Sequence, residues 1–342
     1  MYLPATKVIS LVIVIVDFHT HSLASDGALQ PSDLLLQAKE AGVSRFAITD
    51  HDTLAGYLSV KDTQAARDVG LVSGVELSCR WAKTTIHVVG LGFDDTAAEI
   101  VDMVTSLSAA RIERAKTIAQ RLENAGFSDA LDGALKVANG SQIGRPHFAQ
   151  WMLDAGHVAS LTEAFDKYLG AGKVGDVKAF WPAMAEVARA ITASGGVAVL
   201  AHPLKYRLTG MKLRALINDF KAAGGTCLEI LNGRQPEVDM KRLSQMAESL
   251  NLLVSAGSDF HRSFEYGPTL GVDADRLAAG RYVWNERALN GSTESTESNE
   301  STKSTGSSGS ARNAESAMSN GIAGSFETVE STTGASAPGS RG

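Results

Sequence analysis

Leu11 to Val16 is an unbroken run of branched apolar residues that stops at Asp17-Phe18-His19-Thr20-His21-Ser22. Six such residues in a row predict a strand buried on both faces, so the polar residues that follow emerge where the strand leaves the core. On an extended backbone His19 and His21 point to the same side, spaced to share one cation. Ser25-Asp26-Gly27 then reads as a turn, and Pro31 opens a helix that Gly42 closes. A second strand over 45–49 runs into Thr49-Asp50-His51-Asp52-Thr53. A helix over 54–69 leads to a third strand over 71–77, with Glu76 near its exit, and a strand over 85–93 carries His87. Strand and helix alternating over short connections predict a parallel sheet, closed or wound, with helices outside.

The rhythm breaks between 95 and 194, where helical periodicity covers 97–124, 130–138, 145–154 and 161–169. Strands return at 197–201, ending in His202-Pro203, at 227–231, and at 253–256, ending in Gly257-Ser258-Asp259-Phe260-His261; helices over 211–223 and 236–250 separate them. From 285 to 342 the composition falls to Ser, Thr, Gly, Glu, Asn and Ala, which cannot bury enough surface to offset ordering entropy and predicts disorder. The expected organisation is therefore a barrel from 1–94 and 195–284, a helical insertion over 95–194 acting as a lid, and a low-complexity tail.

Composition narrows this picture little. An apolar content of 44% supports a substantial core, and a formal charge of -6 argues against stable binding of duplex nucleic acid through a broad basic surface. A nucleotide or short RNA held by a few local cations is compatible with it. Cys79 and Cys227 have neither disulfide nor thiolate-metal spacing, which suits a reducing cytoplasm. The apolar segment Val8 to Val16 is too short to span a bilayer and lacks the flanks of a signal peptide.

Candidate chemistry gathers at the strand exits. Of the eight histidines, those at 19, 21, 51, 87, 202 and 261 fall on or just past predicted strands, and Asp26, Glu76 and Asp259 share those junctions. The carboxyl ends of parallel barrel strands converge on one face, so residues distant in sequence can meet there. Six imidazoles and three carboxylates in one place are hard to satisfy except around cations. Such a donor set without thiolate suits manganese, zinc or iron.

The segments Asp17 to Ser22, Ile48 to Thr53, Gly74-Val75-Glu76-Leu77-Ser78, Ala201-His202-Pro203 and Gly257 to His261 resemble, in order, the motifs of the polymerase and histidinol phosphatase (PHP) family, and cover residues 16–284. The resemblance implies an α/β fold, a distorted (β/α)7 TIM-like barrel, holding three divalent ions. These would be Mn2+, with Zn2+, Fe2+ or Mg2+ as alternatives. His19, His21, Glu76 and Asp259 would hold the first ion. Glu76 would bridge to a second held with His87 and His202, and Asp26, His51 and His261 would hold the third. Within the family the likeness is to the branch that hydrolyses nucleoside 3′,5′-bisphosphates and trims short RNA from its 5′ end. In that reading a metal-activated hydroxide attacks phosphorus, and no side chain acts as nucleophile.

Three segments support that branch: Gly144-Arg145-Pro146-His147-Phe148-Ala149, Lys167 to Lys173, and Ala201 to Tyr206. Arg145 and His147 at a helix start would offer an anion a guanidinium, an imidazole and free backbone donors. Lys205 beside His202, and Lys173 in a glycine-rich loop, are further candidates for a second phosphate. Asp17, Asp50 and Asp52 are expected to orient the imidazoles, whereas Trp151, Phe165 and Trp181 read as helical packing. Three other readings compete: a histidinol phosphatase, an amidohydrolase-type hydrolase, and a non-catalytic metal-stabilised binding module. An amidohydrolase would need a bridging lysine and a lone terminal aspartate in place of Glu76 and the pair Asp259 and His261.

Overall fold

A computed structural model describes residues 14–289 except 178, 179, 266, 278 and 279. The predicted tail from 290 onward, and Leu11 to Ile13 of the first strand, lie outside the described residues. Strands β1 (Ile15–Asp17), β2 (Val43–Ala47) and β3 (Leu71–Val72) pair in parallel, and β9 (Val272–Asp273) adds antiparallel to β1. A second sheet has the order β4 (Gly74–Trp81), β5 (Thr84–Leu91), β6 (Val197–Leu200), β7 (Cys227–Asn232), β8 (Leu253–Gly257). Here β6, β7 and β8 run parallel, but β5 is antiparallel to both neighbours.

Among the described residues these ladders make an α/β fold of two sheets and not one closed ring. The reason lies in two connections. Only Ala82 and Lys83 separate β4 from β5, and a link that short can join only antiparallel neighbours. The strand expected at 71–77 also breaks at Ser73: β3 stays with the first sheet while β4 begins the second. Gly74 marks the break, because a Cβ there would stand 2.6 Å from the Ile48 carbonyl. The two sheets touch through single bridges, Thr20 with Phe260 and His51 with Glu76. Both bridges lie at the strand exits that carry the histidines.

Between the sheets the core is Val16, Phe18, Val89, Leu91, Val199 and Leu253, closed at one end by Trp284 stacked on Phe18 and by Leu289. Burial begins at Val16; Val14 is 38% exposed, so the first strand is less enclosed at its start than its composition predicts. Leu289 is buried, and its carbonyl accepts from Arg45, which carries the folded part past the boundary expected at 284. Helices α1 (Pro31–Glu40), α2 (Ala55–Val60) and α3 (Gln64–Asp68) cover β2; the single helix expected over 54–69 is divided by Thr63, whose hydroxyl caps α3. Next in the chain come α4 (Ala98–Asn124), α5 (Ala130–Ala138), α6 (Arg145–Asp154) and α7 (Leu161–Ala164), which share their own apolar cluster centred on Leu122, Phe148 and Met152. Helices α8 (Met184–Ala193), α9 (Gly210–Ala222) and α10 (Glu237–Ser249) cover the second sheet. No described helix is long and apolar enough to cross a membrane.

Candidate metal centre

The extended chain past β1 is pinned along β8, with Phe18 N donating to the Ala256 carbonyl, Asp259 N to that of His19, and His21 N to that of Phe260. Thr20 turns the other way and donates to the Ala47 carbonyl at 2.8 Å, so His19 and His21 share the opposite side. Gly257 permits the approach: a Cβ there would lie 2.3 Å from that of His19. Asp259 and His202 hold left-handed backbone at φ 53° and 29°, as does Asp52 at 53°. Three such residues gathered at one mouth are the kind of strain that functional loops carry.

Glu76, fully buried on β4, is the hub. Its Oε1 lies 2.9 Å from His87 Nδ1 and 2.9 Å from His202 Nε2. Its Oε2 lies 3.3 Å from Nε2 of both His19 and His21, and 2.9 Å from His51 Nδ1. Asp259 Oδ1 stands 3.6 Å from His19 and 3.3 Å from His21. On the outer side Asp26 lies 3.4 Å from His261 and 3.8 Å from the second nitrogen of His51. All nine side chains named from the sequence therefore meet in one place, in overlapping donor groups whose atoms lie within 4.8 Å of one another. His87 arrives by a route the parallel-strand argument did not contain: it lies on antiparallel β5, opposite Ser78.

Divalent cations fit this donor set on an observation independent of motif. His19 Nε2, both ring nitrogens of His21, His51 Nδ1, His202 Nδ1 and Glu76 Oε2 are buried without a hydrogen-bond partner. So many unpaired buried polar atoms are costly unless an ion takes them up. Protons alone do not settle the cluster evenly. Burial, aided by His261 and His51, pushes the His21 imidazole down to about 3, whereas Glu76 and Asp26 outweigh burial at His51 and carry it up to about 9. Burial also opposes charge on Glu76, yet the surrounding imidazoles hold its carboxyl well below the usual range.

Glu229 is one residue that sequence reasoning missed. From β7 it binds His19 Nδ1 at 2.9 Å and accepts from His202 N at 2.5 Å and from Asn232 at 3.2 Å. Its signal was a single carboxylate inside the otherwise apolar strand Cys227-Leu228-Glu229-Ile230-Leu231. Asp17, Asp50 and Asp52, expected to orient imidazoles, instead accept from backbone amides, serine hydroxyls and Arg111. Asp17 accepts from Ser258 N and Gly271 N, Asp50 from Ser22 and Ser25, and Asp52 from Ser78 N.

Beside the cluster a cavity of about 400 Å³ is lined by Asp26, His51, His87, Arg111, Arg114, Arg145, Trp181 and Lys205. Arg145 thus faces it, and its Nη1 donates to the Leu169 carbonyl at 3.0 Å. Lys205 also faces it and is ion-paired with Asp259. Lys173 is exposed and does not line it. His147 is turned away as a helix cap: its Nδ1 accepts from Gly144 N at 2.9 Å and its Nε2 meets Ser141 Oγ at 3.2 Å. In their place stand two arginines from α4, sitting over Trp181 with guanidinium carbons 5.5 and 5.2 Å from the ring centre. Arg111 donates to Asp52 at 2.6 Å, and Arg114 to the Val177 carbonyl at 2.7 Å. Burial, with Arg145 and Arg111 alongside, lowers Arg114 to about 9.

The chain resembles several known proteins. The model of the PHP domain matches residues 17–180. The chain is 42% identical over 273 residues to a 5′-3′ exoribonuclease of Haemophilus influenzae, covering 79% of this chain and 98% of the relative. It is 36% identical over 272 residues to a 3′,5′-nucleoside bisphosphate phosphatase of Chromobacterium violaceum, covering 79% and 95%. A solved structure from the latter organism, described as an amidohydrolase with bound sulfate and no metal, superposes with TM-score 0.72 at 35% identity, covering 80% of this chain and 95% of that one.

Proposed function

The chain belongs to the PHP domain family, and from that premise we propose that it is a metal-dependent phosphoesterase acting on nucleoside 3′,5′-bisphosphates and on the 5′ ends of short RNA. The observation that carries the reading is the adjacency of the Glu76 cluster, with its unpaired ring nitrogens, to a cavity walled by arginine. His19, His21, Glu76, Asp259, His87, His202, Asp26, His51 and His261 would hold divalent ions, three in our reading and manganese first among them. Bound there, such ions supply Lewis acidity that activates water and neutralises phosphoryl oxygens.

The protein's own groups do the rest. The two oxygens of Glu76 face different imidazoles, as a shared ligand requires. Glu229 fixes the His19 ring so that Nε2 faces inward. Arg111, Arg114, Arg145 and Lys205 hold the phosphate that is not cut, which orients the one that is and excludes substrates lacking the second anion. Helices over 95–194 close the cavity as a lid, and the two bridged sheets act as halves of a distorted barrel. The thiols of Cys79 and Cys227, buried and free, suit a reducing cytoplasm.

The test is phosphate release with added manganese from adenosine 3′,5′-bisphosphate, p-nitrophenyl phosphate and histidinol phosphate. The bisphosphate should show the highest kcat/KM, and chelator should abolish turnover. A preference for histidinol phosphate, or release from none of the three, would defeat the proposal. The description of the Chromobacterium structure as an amidohydrolase raises amide hydrolysis as the second reading, but a neutral amide gives the arginine wall no partner.

A further inference from the structure

A second cavity, of about 780 Å³, reaches the same centre at Asp26. Asp26 and Pro146 line both cavities, so the two adjoin at the edge of the cluster. Their chemistry differs. The first holds Arg111, Arg114, Arg145 and Lys205; the second has Arg262 as its lone lysine or arginine and, besides Asp26 and His147, is walled by small apolar residues such as Ala28 and Ala138 and by hydroxyls and amides such as Asn139 and Gln150. Arg262 is exposed, and no hydrogen bond or ion pair holds it among the described residues.

We propose that this second cavity receives the departing strand when an RNA end is cut. The inference rests on the functional reading above. A terminal phosphate monoester is close to a dianion at neutral pH, whereas an internal diester carries one charge. The arginine wall therefore suits the 5′-terminal phosphate, and the second wall, largely uncharged with one free arginine, suits the diester chain and base edges of the nucleotides that follow. In the cleavage step the water oxygen bonds to phosphorus, the bond from phosphorus to the ribose 3′ oxygen breaks, and a proton from the water ends on that oxygen. The products are a nucleoside 5′-phosphate on the arginine side and a strand one nucleotide shorter in the second cavity. The shortened strand again bears a 5′-phosphate, so the same wall can read it in the next round. With a 3′,5′-bisphosphate the identical bond is cut and the second cavity has no role.

Two variants test this with manganese-loaded enzyme, comparing kcat/KM on adenosine 3′,5′-bisphosphate and on a 5′-phosphorylated pentaribonucleotide. Arg262→Glu should lower the value for the pentamer about tenfold, and Gln150→Lys should raise it about threefold, since each acts on strand phosphates at short range. Both should leave bisphosphate turnover within about twofold of the parent protein, which also reports that they fold. Equal changes on the two substrates, unchanged pentamer cleavage in both variants, or a parent enzyme that cleaves the bisphosphate but not the pentamer would overturn the proposal while leaving the phosphatase reading intact. Failure of the parent enzyme on both substrates would sink that reading, and this inference with it.

Discussion

The strand-exit mouth and the inner face of helix α4 both bury ionisable groups, and they solve the problem in opposite ways. At the mouth, ring nitrogens of His19, His21, His51 and His202 and one oxygen of Glu76 have no hydrogen-bond partner. On α4, Arg111 reaches Asp52, the Ile143 carbonyl and Ser78, and Arg114 reaches the Val177 carbonyl. The first arrangement is complete only with added cations. The second is complete within the protein, and its stacked guanidiniums keep further N–H groups for an anion. The contrast separates a region whose buried polar atoms lack partners from one whose buried charges have them.

The largest expected effect breaks the metal side. Asp259→Asn should cut phosphate release by on the order of 10³-fold and lower bound metal in elemental analysis; full activity would remove Asp259 from the ligand set. On the arginine side, Arg111→Met strands the buried Asp52 carboxylate and should cost about 3–5 kcal/mol. Adding Asp52→Asn should recover much of that loss in thermal unfolding, and no recovery would show that the pair is not the cause. Glu229→Gln keeps the shape but weakens the grip on His19, so metal affinity should fall by roughly 10–100-fold. A metal titration matching the parent protein would leave Glu229 a purely structural role. Arg114→Ala should raise KM for the bisphosphate about tenfold while changing KM for an aryl phosphate little; equal shifts would mean that it does not read the second phosphate. Smallest of all, Lys173→Ala should leave both substrates within about twofold, because that side chain lies outside the cavity.

Much of the centre was legible before folding was considered. His19-Thr20-His21 after an apolar run, His202-Pro203, and Asp259 to His261 each advertise a strand exit, and those positions meet as expected. His147 shows the limit. Its place at a helix start suggested an anion contact, yet the same place makes it a cap for Gly144 N, and residue type alone does not choose between the two. Arg111 and Arg114 occupy the apolar stripe formed with Leu107, Ile118 and Leu122, a spacing that by itself predicts only a helix.

The sequence by itself determined the alternation of strands and helices, the run of helices that follows β5, and the nine clustered side chains, because local periodicity and residue chemistry are properties of short segments. Tertiary structure alone decided the direction of β5, the division of the strands into two bridged sheets, the pairing of Glu229 with His19, and the arginine wall. Each of these depends on what packs opposite a residue, and a linear pattern carries the face a side chain takes but not the partner that meets it.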